Sequence, residues 1–147
     1  MARIVPLTPA DFDEWLPLWR GYQTFYKVEI SDETTAKTFA RLTGGKEPMG
    51  AFLARDDSGR AIGVVHWIMH RSCWTTGDYC YLQDLFVAPD IRGGGVGRKL
   101  IEAVYDIARK HECARVWWLT HETNAQAMIL YDKVATKSGF VQYVKRF

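Results

Sequence analysis

The chain has 147 residues, 48% hydrophobic and 24% charged, with 19 basic against 17 acidic side chains and a net charge of +2. That length suits one domain spanning residues 1–147, and the near-balance of charge, with no Lys/Arg block, excludes nucleic acid and anionic membrane as partners. No apolar run approaches the roughly 20 residues of a spanning helix, Met1 to Ile4 opens no signal peptide, and Cys73, Cys80 and Cys113 fit no metal-ligand spacing, so a metal-free cytoplasmic protein with reduced thiols is expected.

Arg3 to Leu7 reads as a short apolar strand. Thr8-Pro9-Ala10-Asp11 then starts a helix, with Thr8 as N-cap and Pro9 at the first helical position. Phe12, Trp15, Leu16, Trp19, Tyr22, Gln23 and Tyr26 share one broad face of it. Pro17, inside that pattern, is expected to kink or interrupt the helix. Most of the face is core, and its C-terminal part (Tyr22, Phe25, Tyr26) is a candidate pocket wall. A second helix begins at Ser31-Asp32-Glu33, runs to Leu42 and is ended by Gly44-Gly45.

Met49 to Ala54 and Ala61 to Met69 read as the two strands of a hairpin around Asp56-Asp57-Ser58-Gly59. Thr75-Thr76-Gly77-Asp78 turns into a third member of this meander, Tyr79 to Val87, rich in β-favouring residues and stopped by Pro89. His66 and His70 lie among apolar residues of the preceding strand and read as structural. The glycine-rich stretch Gly93-Gly94-Gly95-Val96-Gly97 comes next. It opens into a helix whose apolar face is Val96, Leu100, Ala103, Val104, Ile107 and Ala108. Free backbone N–H groups and the positive end of a helix dipole meet there, and glycines let an anion approach the backbone. A Walker A loop would need Gly-Lys followed by Ser or Thr, and Arg98 and Leu100 stand there instead. A dinucleotide fingerprint would need a third glycine and an earlier place in the chain.

Arg115 to Thr120 reads as a further strand. A strand, a crossover helix and a strand in this order imply parallel pairing. Thr123 with Gln126 has the form of a capping box for a helix from Asn124 to Lys137. On that helix Asn124, Ala127 and Tyr131 share one face. Phe140 to Lys145 is expected to close the sheet. His121, at the end of the Arg115–Thr120 strand, reads as a surface or hydrogen-bonded residue, with contact to a substrate as the alternative.

Two segments carry a family resemblance. Val87-Ala88-Pro89-Asp90-Ile91-Arg92-Gly93-Gly94-Gly95-Val96-Gly97 resembles the V-x-P-x-x-R-x-x-G-x-G loop of the GNAT N-acetyltransferases. Asn124-Ala125-Gln126-Ala127-Met128-Ile129-Leu130-Tyr131 is similar to their N-x-x-A-x-x-L-Y segment. The C-terminal part is similar to the branch of small fungal histone and D-amino-acid acetyltransferases. Tyr81 to Val87 resembles a strand of the spermidine/spermine enzymes, with Gln83 where those have Glu. The resemblance implies a mixed α/β fold, a six- to seven-stranded sheet with helices on both faces, and acetyl-CoA as co-substrate.

It further implies roles for individual residues. Leu85, Phe86 and Val87 would hold the pantetheine arm and the thioester carbonyl through their backbone. Arg92, Gly93, Gly94, Gly95, Val96, Gly97 and Arg98 would bind the pyrophosphate, and Asn124 the pantetheine. Tyr131, also near the cofactor sulfur, would act as general acid, with a core tyrosine as the alternative. Asp84 would be the base, with a structural carboxylate as the alternative. Tyr22, Tyr26, Gln83 and Asp84 would meet the acceptor, expected to be a primary amine of a small molecule or peptide. A homodimer is expected, since relatives often dimerise. A CoA-binding module of the same fold without catalysis is the competing function.

Overall fold

The computed structural model describes residues 1–91 and 93–147; Arg92 lies outside the described residues. Strand β1 (Arg3–Pro6) leads through one 3-10 turn (Pro9–Asp11) into helix α1 (Phe12–Tyr26). The turn is held by the Thr8 N–H, which donates to Asp11 Oδ2 at 2.8 Å. Pro17 does not interrupt α1, which runs through it from Phe12 to Tyr26. The ring lies on the exposed face, where the Asp13 carbonyl deprived of its partner is open to water. Helix α2 (Asp32–Thr43) starts where its sequence says: Ser31 Oγ accepts the Thr34 N–H at 3.1 Å.

Strands β2 (Met49–Arg55), β3 (Ala61–His70) and β4 (Tyr79–Val87) form the expected antiparallel meander. Helix α3 (Val96–Lys110) crosses over to β5 (Arg115–Trp117), which pairs parallel with β4. Helix α4 (Ala125–Val134) ends the regular structure. Among the described residues the sheet is five-stranded, in the order β1-β2-β3-β4-β5, rather than six- or seven-stranded. The expected closing strand from Phe140 to Lys145 does not form. Phe140 is 80% and Tyr143 94% exposed, so this stretch packs on neither edge strand of the sheet, β1 or β5.

Two cores lie on opposite faces of the sheet. Leu100, Ile101 and Val104 of α3 pack with Val65, Met69, Cys80 and Leu82. Trp15, Leu18 and Trp19 of α1, with Phe39 and Leu42 of α2, pack with Leu53 and Val64. Burying a large apolar side chain contributes about 1.5–3 kcal/mol, and these two clusters fix the helices to the sheet. Gly21 sets the distance of α1 from β4, since a Cβ there would lie 2.8 Å from the Phe86 ring.

Candidate active site

The site begins with an irregularity in β4. In the β3–β4 register His66 faces Asp84 and Trp67 faces Leu82, so Gln83 is an extra residue, a β-bulge. Side chains alternate across a strand, and one inserted residue reverses that parity. Before the bulge, Cys80 and Leu82 point to the α3 face. After it, Leu85 and Val87 do, and Phe86 packs on the α1 side. Without the bulge Asp84 would share the face of Cys80 and Leu82. With it, Asp84 turns towards α1, 8% exposed, while Gln83 itself is exposed.

Asp84 does not stand alone there. His66 Nδ1 lies 2.9 Å from Asp84 Oδ2, and the Trp15 indole N–H donates to His66 Nε2 at 3.0 Å. The phenols of Tyr22 and Tyr26 from α1 and of Tyr81 from β4 face the same carboxylate. All three have raised pKa values, first through burial and then through the Asp84 charge. Tyr22 and Tyr26 lie with ring centroids 4.8 Å apart. Three neutral phenols therefore line an anionic floor. A carboxylate framed by aromatic rings suits an alkylammonium ion, through charge pairing and cation–π attraction.

Beside Asp84 the sheet forks. β5 pairs with β4 only over Tyr79, Cys80 and Tyr81, whereas β4 continues to Val87. Tyr81 and Trp117 stack at 4.2 Å at the fork. Beyond it, among the described residues, the β5-facing edge of β4 from Leu82 to Val87 has no strand partner. Its peptide groups at Leu85 and Val87 are available to a ligand lying in the fork, whereas Phe86, in step with Ala88, whose N–H donates to the Ile62 carbonyl, turns its own towards β3.

The fork leads to the start of α3. Gly93 and Gly95 have φ of +78° and +72°, the left-handed region that favours glycine. Gly95 is the N-cap of α3; among the described residues no side chain caps this end, and its first turn carries no acidic residue. The first-turn N–H groups of Val96, Gly97 and Arg98 thus lack partners within the helix. Val96 anchors the helix in the core at 5% exposure, and Arg98 turns outward to Glu102, 2.9 Å away. Gly97 sits between Val87 and Leu130, where a Cβ would lie 3.9 Å from one and 3.4 Å from the other. An uncapped helix N-terminus after two left-handed glycines fits a phosphate group. Arg92 of the same loop lies outside the described residues.

Helix α4 supplies the other wall. Asn124 is its N-cap and donates from Nδ2 to Thr120 Oγ1 at 3.2 Å. The amide also lies against the Tyr26 phenol, joining α4 to α1 across the fork. The expected capping box is absent: Thr123 Oγ1 lies 2.6 Å from His121 Nδ1 instead, and His121 is exposed. Tyr131 packs edge-on against Trp118 at 5.5 Å, and burial pushes its pKa up to about 12. Leu85, Phe86, Val87, Asn124, Tyr131 and the glycine loop thus surround one fork, with Asp84, Tyr22 and Tyr26 at its head. The sequence reading missed Trp15 and His66, taken as core residues. The only signal was that His66 and Asp84 occupy neighbouring strands, and the bulge hides their alignment.

A sheet forked beside an open glycine-rich helix start suits an elongated ligand that ends in phosphate groups. The sequence pattern of the acetyltransferase (GNAT) family matches residues 13–135, and the chain belongs to that family. It is 38% identical to a D-amino-acid N-acetyltransferase of Saccharomyces cerevisiae over 138 residues, 93% of this chain and 86% of the relative. It is 26% identical to a thialysine N-epsilon-acetyltransferase of Caenorhabditis elegans over 133 residues, 89% and 80% of the two chains. The fold matches a ribosomal-protein-alanine N-acetyltransferase from Brucella melitensis biovar Abortus 2308 with TM-score 0.82, 22% identity and full coverage of both chains. It also matches the aminoglycoside N-acetyltransferase AAC(6')-Iy in complex with CoA with TM-score 0.85 and 17% identity, covering 99% of this chain and 95% of that one.

Proposed function

We propose that residues 1–147 act as one acetyltransferase domain that moves acetyl from acetyl-CoA to a primary amine of a small molecule or peptide, both substrates being bound together. The observation that carries this reading is the buried Asp84 carboxylate among phenols at the head of the fork. An alkylammonium has a pKa near ~10.4, so only about one in 10³ is nucleophilic at pH 7. Asp84 takes the proton, directly or through water, as the nitrogen attacks the thioester carbon. Peptide N–H groups of Leu85 and Val87 meet the charge that grows on the carbonyl oxygen. As the C–S bond breaks, the Tyr131 hydroxyl hydrogen-bonds the leaving thiolate. A phenol raised to about 12 stays protonated at neutral pH and gives up its proton reluctantly, which suits a hydrogen bond that strengthens as charge develops.

Gly93 to Arg98, with Arg92, hold the pyrophosphate, and Asn124 holds the pantetheine arm. Tyr22, Tyr26 and Gln83 line the acceptor side. Gln83 brings no second carboxylate, which favours a monoamine such as an amino acid or a lysine-type side chain over a long polyamine. The exposed apolar residues Phe140, Val141, Tyr143 and Val144 support a homodimer in which a second copy covers them. Three free cysteines and no helix apolar enough to cross a membrane among the described residues fit the cytoplasm. The test is CoA release with a panel of D- and L-amino acids, thialysine and spermidine. An amino-acid-type amine should give the highest kcat/KM. Spermidine as best acceptor by a wide margin, or no release with any amine alongside tight CoA binding, would overturn the reading.

A further inference from the structure

The mechanism above uses Asp84 but leaves unexplained why a histidine and an indole are buried behind it. His66 is 3% and Trp15 0% exposed, and both lie in the α1-side core. The indole N–H is a donor and nothing else. It points at His66 Nε2 at 3.0 Å, so that nitrogen must accept and carries no proton. The ring's one proton is then on Nδ1, which donates to Asp84 Oδ2 at 2.9 Å. Protonating His66 would need Nε2, already taken up by the indole within a dry, aromatic enclosure. Trp19 packs over the ring at 5.0 Å and Trp15 at 5.9 Å. The titratable groups facing Asp84 are the phenols Tyr22 and Tyr26 from α1, Tyr81 from β4 and His66 from β3.

We infer that Trp15 and His66 are positioning residues that lock a neutral Nδ1–H imidazole against one oxygen of Asp84, leaving the carboxylate's other oxygen as the only base. This rests on Asp84 serving as that base. The lock has two effects. One is orientation: Asp84 sits beside a bulge, where the strand alone does not fix its rotamer, and a bond from β3 holds it. The other is electrostatic. An imidazolium behind Asp84 would compete with the acceptor ammonium for its charge and make it a weaker base. The indole denies His66 the proton that would turn it into that rival.

The first test needs no variant. In uniformly 15N-labelled protein the His66 ring should show a protonated Nδ1 and a bare Nε2. A ring that is Nε2-protonated overturns the inference whatever the enzyme's activity. The second test separates the two ring nitrogens. His66→Asn retains a donor near the Nδ1 position, and His66→Gln retains an acceptor near Nε2 but no donor to Asp84. His66→Asn should keep kcat within about threefold, and His66→Gln should lower it about tenfold, with KM for acetyl-CoA unchanged. Equal kcat for the two overturns the inference. In Trp15→Phe, which removes the indole donor, the ring should no longer hold the single Nδ1–H tautomer, and kcat should fall about tenfold with KM for acetyl-CoA unchanged. An unaltered tautomer with unchanged kcat overturns it. If Asp84→Asn remains fully active, the base assignment fails, while the ring's tautomer still reports on the lock.

Discussion

Alanine at Gly95 separates two properties of the glycine loop. A left-handed residue with a Cβ costs about 1–2 kcal/mol, and Gly95 has φ of +72°. Among the described residues no atom lies within 4 Å of the added Cβ, so their packing neither adds to nor offsets that cost. Alanine also restricts the unfolded chain, which returns about 0.4–1 kcal/mol. The net is a loss of about 1 kcal/mol, or roughly 2–4 °C in Tm at this chain length. Gly94→Ala is the control. Its φ is not left-handed, and its Cβ would make an ordinary contact with Val96 at 3.9 Å. Only the unfolded-state term acts there, so Tm should hold or rise by up to about 4 °C. Scanning calorimetry with and without acetyl-CoA reads both effects. A ligand at 100 times its Kd stabilises by about 2.7 kcal/mol, roughly 5–11 °C for the unaltered protein. Either Cβ sits where phosphate oxygens must approach the peptide N–H groups, so each variant should lose most of that shift. Equal Tm for the two variants without ligand would refute the strain argument. A full acetyl-CoA shift in Gly95→Ala would refute the loop as the phosphate site.

Tyr131→Phe keeps the ring against Trp118 and removes only the hydroxyl, so steady-state kinetics should show kcat down by about 10²-fold or more with acetyl-CoA affinity within a few-fold; unchanged kcat with chemistry rate-limiting would make it a packing residue. Asp84→Asn should lower kcat/KM by about 10²–10⁴-fold, and excess activity towards an already neutral amine at high pH would identify the lost step as deprotonation. Gly21→Ala drives a Cβ into the Phe86 ring at 2.8 Å; overpacking of about 1–3 kcal/mol should shift α1 and raise the acceptor KM through Tyr22, and an unchanged KM would show that α1 does not wall the site. Burial raises Cys80 from 9.0 and Tyr131 from 10.0, each to about 12. Their neutral forms are favoured by folding, so this stability is complete below pH 9 and is lost as pH rises from 9 to 12. Urea midpoints should fall over that window, and less so in Cys80→Ala; a flat profile from pH 8 to 11 would contradict the burial argument. Deleting residues 140–147 should convert a dimer to a monomer by light scattering, and a monomeric full chain would remove the proposed interface.

What the sequence determined by itself was set within a few residues of chain. Ser31 starts α2 because its hydroxyl reaches an N–H three residues on. Val96, Leu100 and Val104 face the core because of helical periodicity. Gly93 and Gly95 mark an unusual backbone because other residues are strained there. The glycine loop and the Asn124–Tyr131 stripe were legible for this reason, and so was the family. The tertiary structure decided whatever depends on residues far apart in the chain. Strand register across the β3–β4 hairpin places the bulge at Gln83, and that extra residue turns Asp84 from the α3 face to the α1 face. The same register brings His66 to Asp84, and the packing of α1 brings Trp15 to His66. Phe140 to Lys145 reads as a strand from its side chains, yet a strand forms only by pairing, and in the folded chain that stretch stays exposed, away from the edges of β1 and β5. Local rules choose the conformation a segment prefers. Only the folded sheet decides which face a side chain sees, because one inserted residue reverses it at no cost that the local sequence records.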